Sequence, residues 1–434
     1  ARGRAAVAGP RAVMVPRAVV EQAFDGAVFH SYRAAGPAWA LTARRPESAA
    51  FATALAVFLP RGYPASLKAR YADFAAWQFL AYVASSASGV LSTRCLLAAV
   101  GVGDAAAAPL AAAANWAMKD GLGQLGGVAF AAVTASKFDA DPRRWRMRAA
   151  IALDAATLLE LAALPLFPAL FVPIAAVANV GKNVAYVAAS ASRAALHQSL
   201  SNVAQQHNLG EITAKAASQT IVASLLGLGL GVAVSNACAT SPTDLVTAWS
   251  CLSAVHLGAC YASLRCISPS ALTPARMAAV AEAYVASGAL PPPAVVARTE
   301  PILAPAPRCW LHVGMPLHEA CETPAAFASF AAASRSPYVV CVSGTDVHVL
   351  LGRRAAEADA HVACLHAALA RKHILGADGR RDDGPLRAVL AATAALDADP
   401  GLGRGFVEAL AASEWRPMGA FDSGRINHRD DAPP

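Results

Sequence analysis

Apolar positions in this chain come in long unbroken runs rather than in alternating stripes. Phe74 to Thr93 is twenty residues without a charge, and Leu245 to Leu264 is another twenty with only His256 as a polar ring inside it. Runs of that length suffice to cross a bilayer as a helix. Ala216 to Thr243 is also uncharged, and Gly227 and Gly231 within it form a small-xxx-small face suited to close helix packing. Residues 149–181 are apolar apart from Asp154 and Glu160 but are broken by Pro165, Pro168 and Pro173, as interrupted membrane helices are. Gly121 to Ser136 is of marginal length. Ala105 to Met118 is fourteen residues, which suits a re-entrant or buried piece better than a span. Four to six spans are expected.

The pattern changes past residue 267. Residues 268–308 are rich in Pro and Ala, and Pro291-Pro292-Pro293 reads as an extended linker. Tyr338–Ser343 and Val347–Leu351 are β-rich runs around Gly344-Thr345-Asp346, a hairpin signal. Helices are expected over about 355–374 and 385–396. The fold class read from this is mainly α: a multi-helix membrane core over 56–267, then a small soluble α+β domain over 309–420. Residues 1–55 read as a weakly ordered leader and 421–434 as a disordered tail.

Composition supports the membrane reading. The chain has 434 residues, 56% apolar and 15% charged, against roughly 25% charged in soluble domains. From Asp154 to Asp244 the only other charges are Glu160, Lys182, Arg193, Glu211 and Lys215. Soluble helices need a polar face, which this stretch cannot supply. The net charge of +7 comes from scattered arginines and short basic loops without interleaved aromatics, so nucleic acid is not an expected partner. The loop Lys137–Arg148 is the clearest basic loop and should face the cytosol or its organellar equivalent. Nine cysteines with no CxxC point to a reducing compartment. The first seventeen residues hold four arginines and no acid, which fits either the end of an organelle transit peptide or an Ala/Arg-rich leader.

Candidate chemistry is sparse. Gly121-Leu-Gly123-Gln-Leu-Gly126 satisfies GxGxxG, but the residues before it are helical in pattern, not a buried strand, so helix-packing glycines are expected rather than a nucleotide loop. Asn179, Lys182, Tyr186, Ser190, Arg193, His197 and Ser201 fall within about a 100° arc of one helix. That polar stripe lies either at a surface or along a cavity in the membrane. Lys119, Asp120, Asp154 and Glu160 are further candidate intramembrane charges, able to pair with Lys182 or Arg193 or to handle a ligand or proton. Glu211 and Lys215 have the spacing of a helix-start ion pair. His361, Cys364 and His366 do not share one helical face, so no metal site is expected, and no catalytic triad, HExxH or Walker motif occurs.

Seven strings in order carry a resemblance. They are GYPASL (62–67), SGVLSTRCLLAAVGVG (88–103), NWAMKDGLG (115–123), FDADPRRWR (138–146), LFPALF (166–171), SRAAL (192–196) and EITAKAASQ (211–219). This set resembles the root UVB sensitive family over about residues 58–270. The matching positions include Gly62, Tyr63, Pro64, Ser92, Asn115, Trp116, Gly121, Gly123, Trp145, Arg146 and Gln219. The resemblance implies membrane association and links in plants to UV-B responses, auxin transport and vitamin B6 homeostasis, with some members plastid-directed. It implies no reaction and no cofactor. The family commonly has an acid four residues before Asp154, where this chain has Ala150, and an Asp where it has Glu211. Three functions remain open: a carrier or binding protein for a small anionic metabolite, a non-catalytic scaffold acting through partner proteins, or, lowest, a membrane-embedded enzyme. Membrane lipid, a small anion, and a second copy or another family member are the expected partners.

Overall fold

The structure, a computed structural model, describes residues 19–24, 28–35, 38–46, 57–60, 63, 67–68, 70–101, 109–134, 138, 141–201, 208–238, 241–304, 308–335, 337–375 and 384–416. It begins with an antiparallel meander, β1 (Val19–Phe24), β2 (Val28–Ala35) and β3 (Ala38–Pro46). These strands lie where the sequence was expected to be weakly ordered.

Six long helices follow: α1 (Tyr71–Ala99), α2 (Pro109–Thr134), α3 (Pro142–Leu166), α4 (Phe171–Leu200), α5 (Leu209–Ala237) and α6 (Pro242–Arg265). All except α2 are long and apolar enough to cross a membrane. A recurring dipeptide starts several helices. Asp141-Pro142 opens α3 and Ser241-Pro242 opens α6, the first residue capping with its side chain and the proline entering the first turn. The apolar clusters give the directions. Tyr71, Met147, Leu200, Ile212 and Leu264 meet at one end; Leu96, Leu164, Phe171 and Trp116 meet at the other. Successive helices therefore alternate in direction, and the basic start of α3 lies at the first end. Large side chains on α5 such as Ile221, Leu225 and Leu226 stay more than half exposed, as suits a surface against lipid chains.

α2 corrects one expectation. From Pro109 to Thr134 the two pieces run on as one helix, and Lys119-Asp120 does not break it. Both charges are held by neighbours, so the backbone has no reason to leave the helix.

The 268–308 region also differs from the expected linker. It holds α7 (Pro274–Ser287) and α8 (Pro293–Thr299). Thr273 caps α7, Gly288 ends it at φ +68°, and the prolines sit in first turns, where a missing N–H costs nothing. Met277, Val280 and Ala281 of α7 belong to the apolar core of the C-terminal region. That region contains β4 (Leu311–Val313), α9 (Leu317–Ala320), α10 (Pro324–Ala333), β5 (Tyr338–Ser343), β6 (Asp346–Leu351), α11 (Glu357–Leu375), α12 (Pro385–Ala398) and α13 (Pro400–Ala412). The expected hairpin is present as β5–β6, with Gly344 at φ +63° in its turn. A third strand joins it: β4 pairs in parallel with β6, giving the order β4-β6-β5.

Candidate functional site

Four clusters on the apolar helices hold most of the candidate site residues. Highest, where α2 packs on α4, Lys119 Nζ lies 2.5 Å from Asp120 Oδ1 and 4.6 Å from the Trp116 ring centre. Asn179 donates to the Lys119 carbonyl (3.1 Å) and to Asp120 Oδ1 (3.2 Å). The helices approach closely here because Gly123, Gly126 and Gly127 lie against Asn179, Val180 and Asn183. Two of the three GxGxxG glycines, Gly123 and Gly126, thus serve helix packing.

The second cluster joins three helices. Glu160 of α3 is fully buried, and its Oε2 accepts from Ser92 of α1 and pairs with Lys182 of α4. Lys182 also reaches Ser92 Oγ at 3.2 Å. Among the described residues Glu160 Oε1 has no hydrogen-bond partner. An ammonium in an apolar bundle needs such a counter-charge, since an isolated one is strongly penalised.

The third cluster lies nearer the middle of the bundle. Asp154 Oδ1 accepts from His256 Nδ1 at 2.8 Å and Oδ2 accepts from Ser253 Oγ at 2.5 Å, with all three residues buried. Asp154 was a candidate partner for Lys182 or Arg193. It pairs instead with α6, because its face of α3 turns away from α4. His256 and Ser253 were missed as site residues; a lone imidazole in an uncharged span is the signal that pointed to them.

The fourth place is a cleft near the basic end, between α1, α3, α4 and α5. Gln78, Tyr82, Arg146, Arg193, His197, Gln219 and Thr220 supply its polar lining, Phe74, Phe79 and Leu196 its apolar part. The Arg146 guanidinium lies 6.0 Å from the Tyr82 ring centre. His197 Nδ1 is 3.1 Å from Thr213 Oγ1, and Gln219 donates to the Phe58 carbonyl at 2.7 Å. Among the described residues neither Arg146 nor Arg193 has a carboxylate partner. Half-buried Arg146 and exposed Arg193 thus place two guanidinium groups on the lining of one cleft, the donor type that matches carboxylate or phosphate geometry.

The polar stripe of α4 is therefore divided. Asn179 meets α2, Lys182 meets α1 and α3, Arg193 enters the cleft, and Ser201 follows the helix as its cap. Tyr186, 58% exposed, and Ser190 turn outward. The stripe lines no single cavity, because different helices cover it at different heights. Glu211 and Lys215 lie in the first turns of α5, away from the cleft lining. Of the remaining motif positions, Trp145 stacks edge-on with Phe130 and Phe138, and Tyr63 packs 6.2 Å from Tyr71. Asn115 is partly covered on α2, and Gly121 faces open space. Gly62 and Pro64 lie outside the described residues.

A last group ties the bundle to the C-terminal region. Glu300 pairs with Arg143 at the start of α3, and with Arg276 of α7 at 2.6 Å. Burial alone would raise the Glu300 carboxyl, but the hydrogen bonds and charges of Arg276 and Arg143 hold it below the usual carboxylate range.

Comparison with known proteins fits this picture. A family model described as the vitamin B6 photo-protection and homoeostasis domain matches residues 44–288, and one described as the root UVB sensitive protein C-terminal matches residues 289–393. The protein root UVB sensitive 3 of Arabidopsis thaliana is 30% identical over 57% of this chain and 56% of its own. The chloroplastic protein root UVB sensitive 2 of the same plant is 31% identical over 57% and 56%. RUS family member 1 of Dictyostelium discoideum is 28% identical over 60% and 50%. The chain thus spans about half the length of the curated relatives it matches. No solved structure matches it. With both domain models matched in order, the chain belongs to the root UVB sensitive family.

Proposed function

We propose that the protein is a membrane carrier for a small anionic metabolite, received in the cleft at Arg146 and Arg193. The observation that carries this reading is the pair of guanidinium groups without an acid partner among the described residues, facing one polar cleft in an otherwise apolar bundle. A planar fork of donors on each side suits a phosphate or carboxylate, and the Tyr82 ring suits a flat heteroaromatic body beside it. The family model's vitamin B6 description supports a substrate of that shape, and pyridoxal 5′-phosphate combines both parts. The chloroplastic relative supports an organellar membrane, the plastid envelope or an internal plastid membrane, as its place of work.

The test is reconstitution of the full chain into liposomes and uptake of a panel of anions, with pyridoxal 5′-phosphate beside its unphosphorylated form, inorganic phosphate and small carboxylates. Saturable uptake of one member that is lost in Arg146→Gln supports the reading. Uptake no faster than in protein-free liposomes across the whole panel overturns it.

A further inference from the structure

The cleft lies near one end of the bundle. A second cavity lies near the other, between α1, α3, α5 and α6, and Arg94, Cys95, Leu161, Leu164, Cys238 and Leu245 line it. Between the two levels sits the Ser92–Glu160–Lys182 cluster. Cys95, one turn beyond Ser92, and Leu161, next to Glu160 in the chain, both line the second cavity, so the cluster sits on the same stretches of α1 and α3 as that cavity. Lys182 and Arg193 are eleven residues apart on α4, about 16 Å along its axis, so Lys182 is the next cation an anion would meet beyond the cleft. It is occupied by Glu160.

We propose, resting on the carrier reading, that Glu160 is a proton-binding site whose protonation releases Lys182 to the travelling anion. The unpartnered Oε1 of this fully buried carboxylate is the oxygen left to receive a proton, since Oε2 already holds Ser92 and Lys182. A proton from water adds to Oε1, the carboxylate becomes a neutral acid, and the ion pair is replaced by one between the Lys182 ammonium and the anion. Neither Glu160 nor Lys182 is left as an isolated buried charge at either step, which is the condition for moving an anion past this part of the apolar wall. The other titratable or charged groups near Glu160 are Tyr186 on α4, Cys95 and Arg94 on α1, and Asp154 on α3 itself. Asp154 is engaged by His256 and Ser253. Without the acid the anion would have to displace Glu160 in charged form, leaving an isolated buried carboxylate. The carrier should therefore move proton and anion together.

Infrared difference spectra of the purified full chain between neutral and acidic pH test the proton site without any substrate. The expected result is a carbonyl band of a protonated buried carboxyl that disappears in Glu160→Gln and persists in Asp154→Asn. Removing the paired ammonium in Lys182→Met should move its appearance upward by at least about one pH unit, which serves as the test if the Gln variant does not fold. A band unchanged in Glu160→Gln, or unmoved in Lys182→Met, overturns the proposal, as does its absence from the wild type. In liposomes with a trapped pH dye, influx of pyridoxal 5′-phosphate should acidify the lumen by about one proton per anion; uptake without acidification also overturns it. Absence of all uptake with the band present would overturn the carrier reading and leave the proton site standing.

Discussion

A charged side chain in this bundle is defined by what meets it. Lys182 has Glu160, Lys119 has Asp120, and Asp154 has His256, whereas Arg193 lines a cleft with a second cation, Arg146, and no carboxylate among its lining residues. Arg193→Gln should therefore abolish anion uptake while leaving the melting temperature within about one degree, a change of about 1 kcal/mol or less. Arg193→Lys should restore only part, since an ammonium cannot make the two-pronged contact. Transport and melting measured side by side separate this from a structural role, in which Gln would lower both. His366 of α11 behaves in the opposite way. Burial, and to a lesser degree Arg335, push its imidazole down to about 4 from 6.5. It stays neutral in the fold while the unfolded chain takes up a proton, so stability falls as pH drops from 6.5 towards 4. His366→Gln should flatten that part of the pH–melting curve for the C-terminal region, at a small cost at pH 7 from its contact with Thr393, 3.1 Å away.

Between elements, glycine spacing decides which helices can touch. A Cβ on Gly227 would meet the Val83 carbonyl oxygen of α1, and one on Gly231 would come within 2.8 Å of the Ala87 oxygen; at Gly229 it would meet nothing within 4 Å. Gly227→Val is expected to lower stability by about 1–3 kcal/mol or more, as overpacking does, and Gly229→Ala to be neutral; melting in detergent checks both. This face was legible in the sequence because a four-residue spacing in a helix has one geometric meaning. So were the β5–β6 hairpin and the helices after it, where local turn and period signals agree with the fold. Other elements were not. α2 looked like two pieces because Lys119-Asp120 split an uncharged run, and their partner Asn179 is sixty residues away. α7 and α8 were hidden by prolines that mark helix starts as readily as linkers. β4 is three residues long and exists through its pairing with β6. At the site, the sequence offered Lys182 or Arg193 as partner for Glu160 without choosing, and named Arg146 and Gln219 only through the family resemblance. Which face of a helix meets which neighbour is a tertiary fact, and Asp154 accordingly found His256.

Across the whole molecule, Glu300 is the joint. It holds Arg143 of the bundle and Arg276 of the C-terminal region, while Arg144 donates to the Pro301 carbonyl at 2.8 Å. Because its carboxyl is held below the usual range, its contribution is complete at neutral pH and is lost as acid protonates it below the ordinary carboxylate pKa. Glu300→Gln should remove about 3 kcal/mol and erase that acid-dependent loss. Limited proteolysis between 268 and 308, slow in the wild type at pH 7, should become fast in the variant; equal rates would show that the joint lies elsewhere.

The same joint constrains how the protein is made. Arg143 leaves the ribosome 157 residues before Glu300, so throughout insertion of the six helices the basic start of α3 has no Glu300 to neutralise it. If insertion accompanies synthesis, those cations are expected to hold their end of the bundle on the side of synthesis, which labelling an introduced cysteine in the 137–148 loop would check. On that expectation Glu300 arrives after the choice is made, and the same cations then serve a structural bond. A chain ending before residue 300 should insert correctly but remain unlocked, whereas an acid moved next to Arg143 would silence the signal too early and yield inverted molecules.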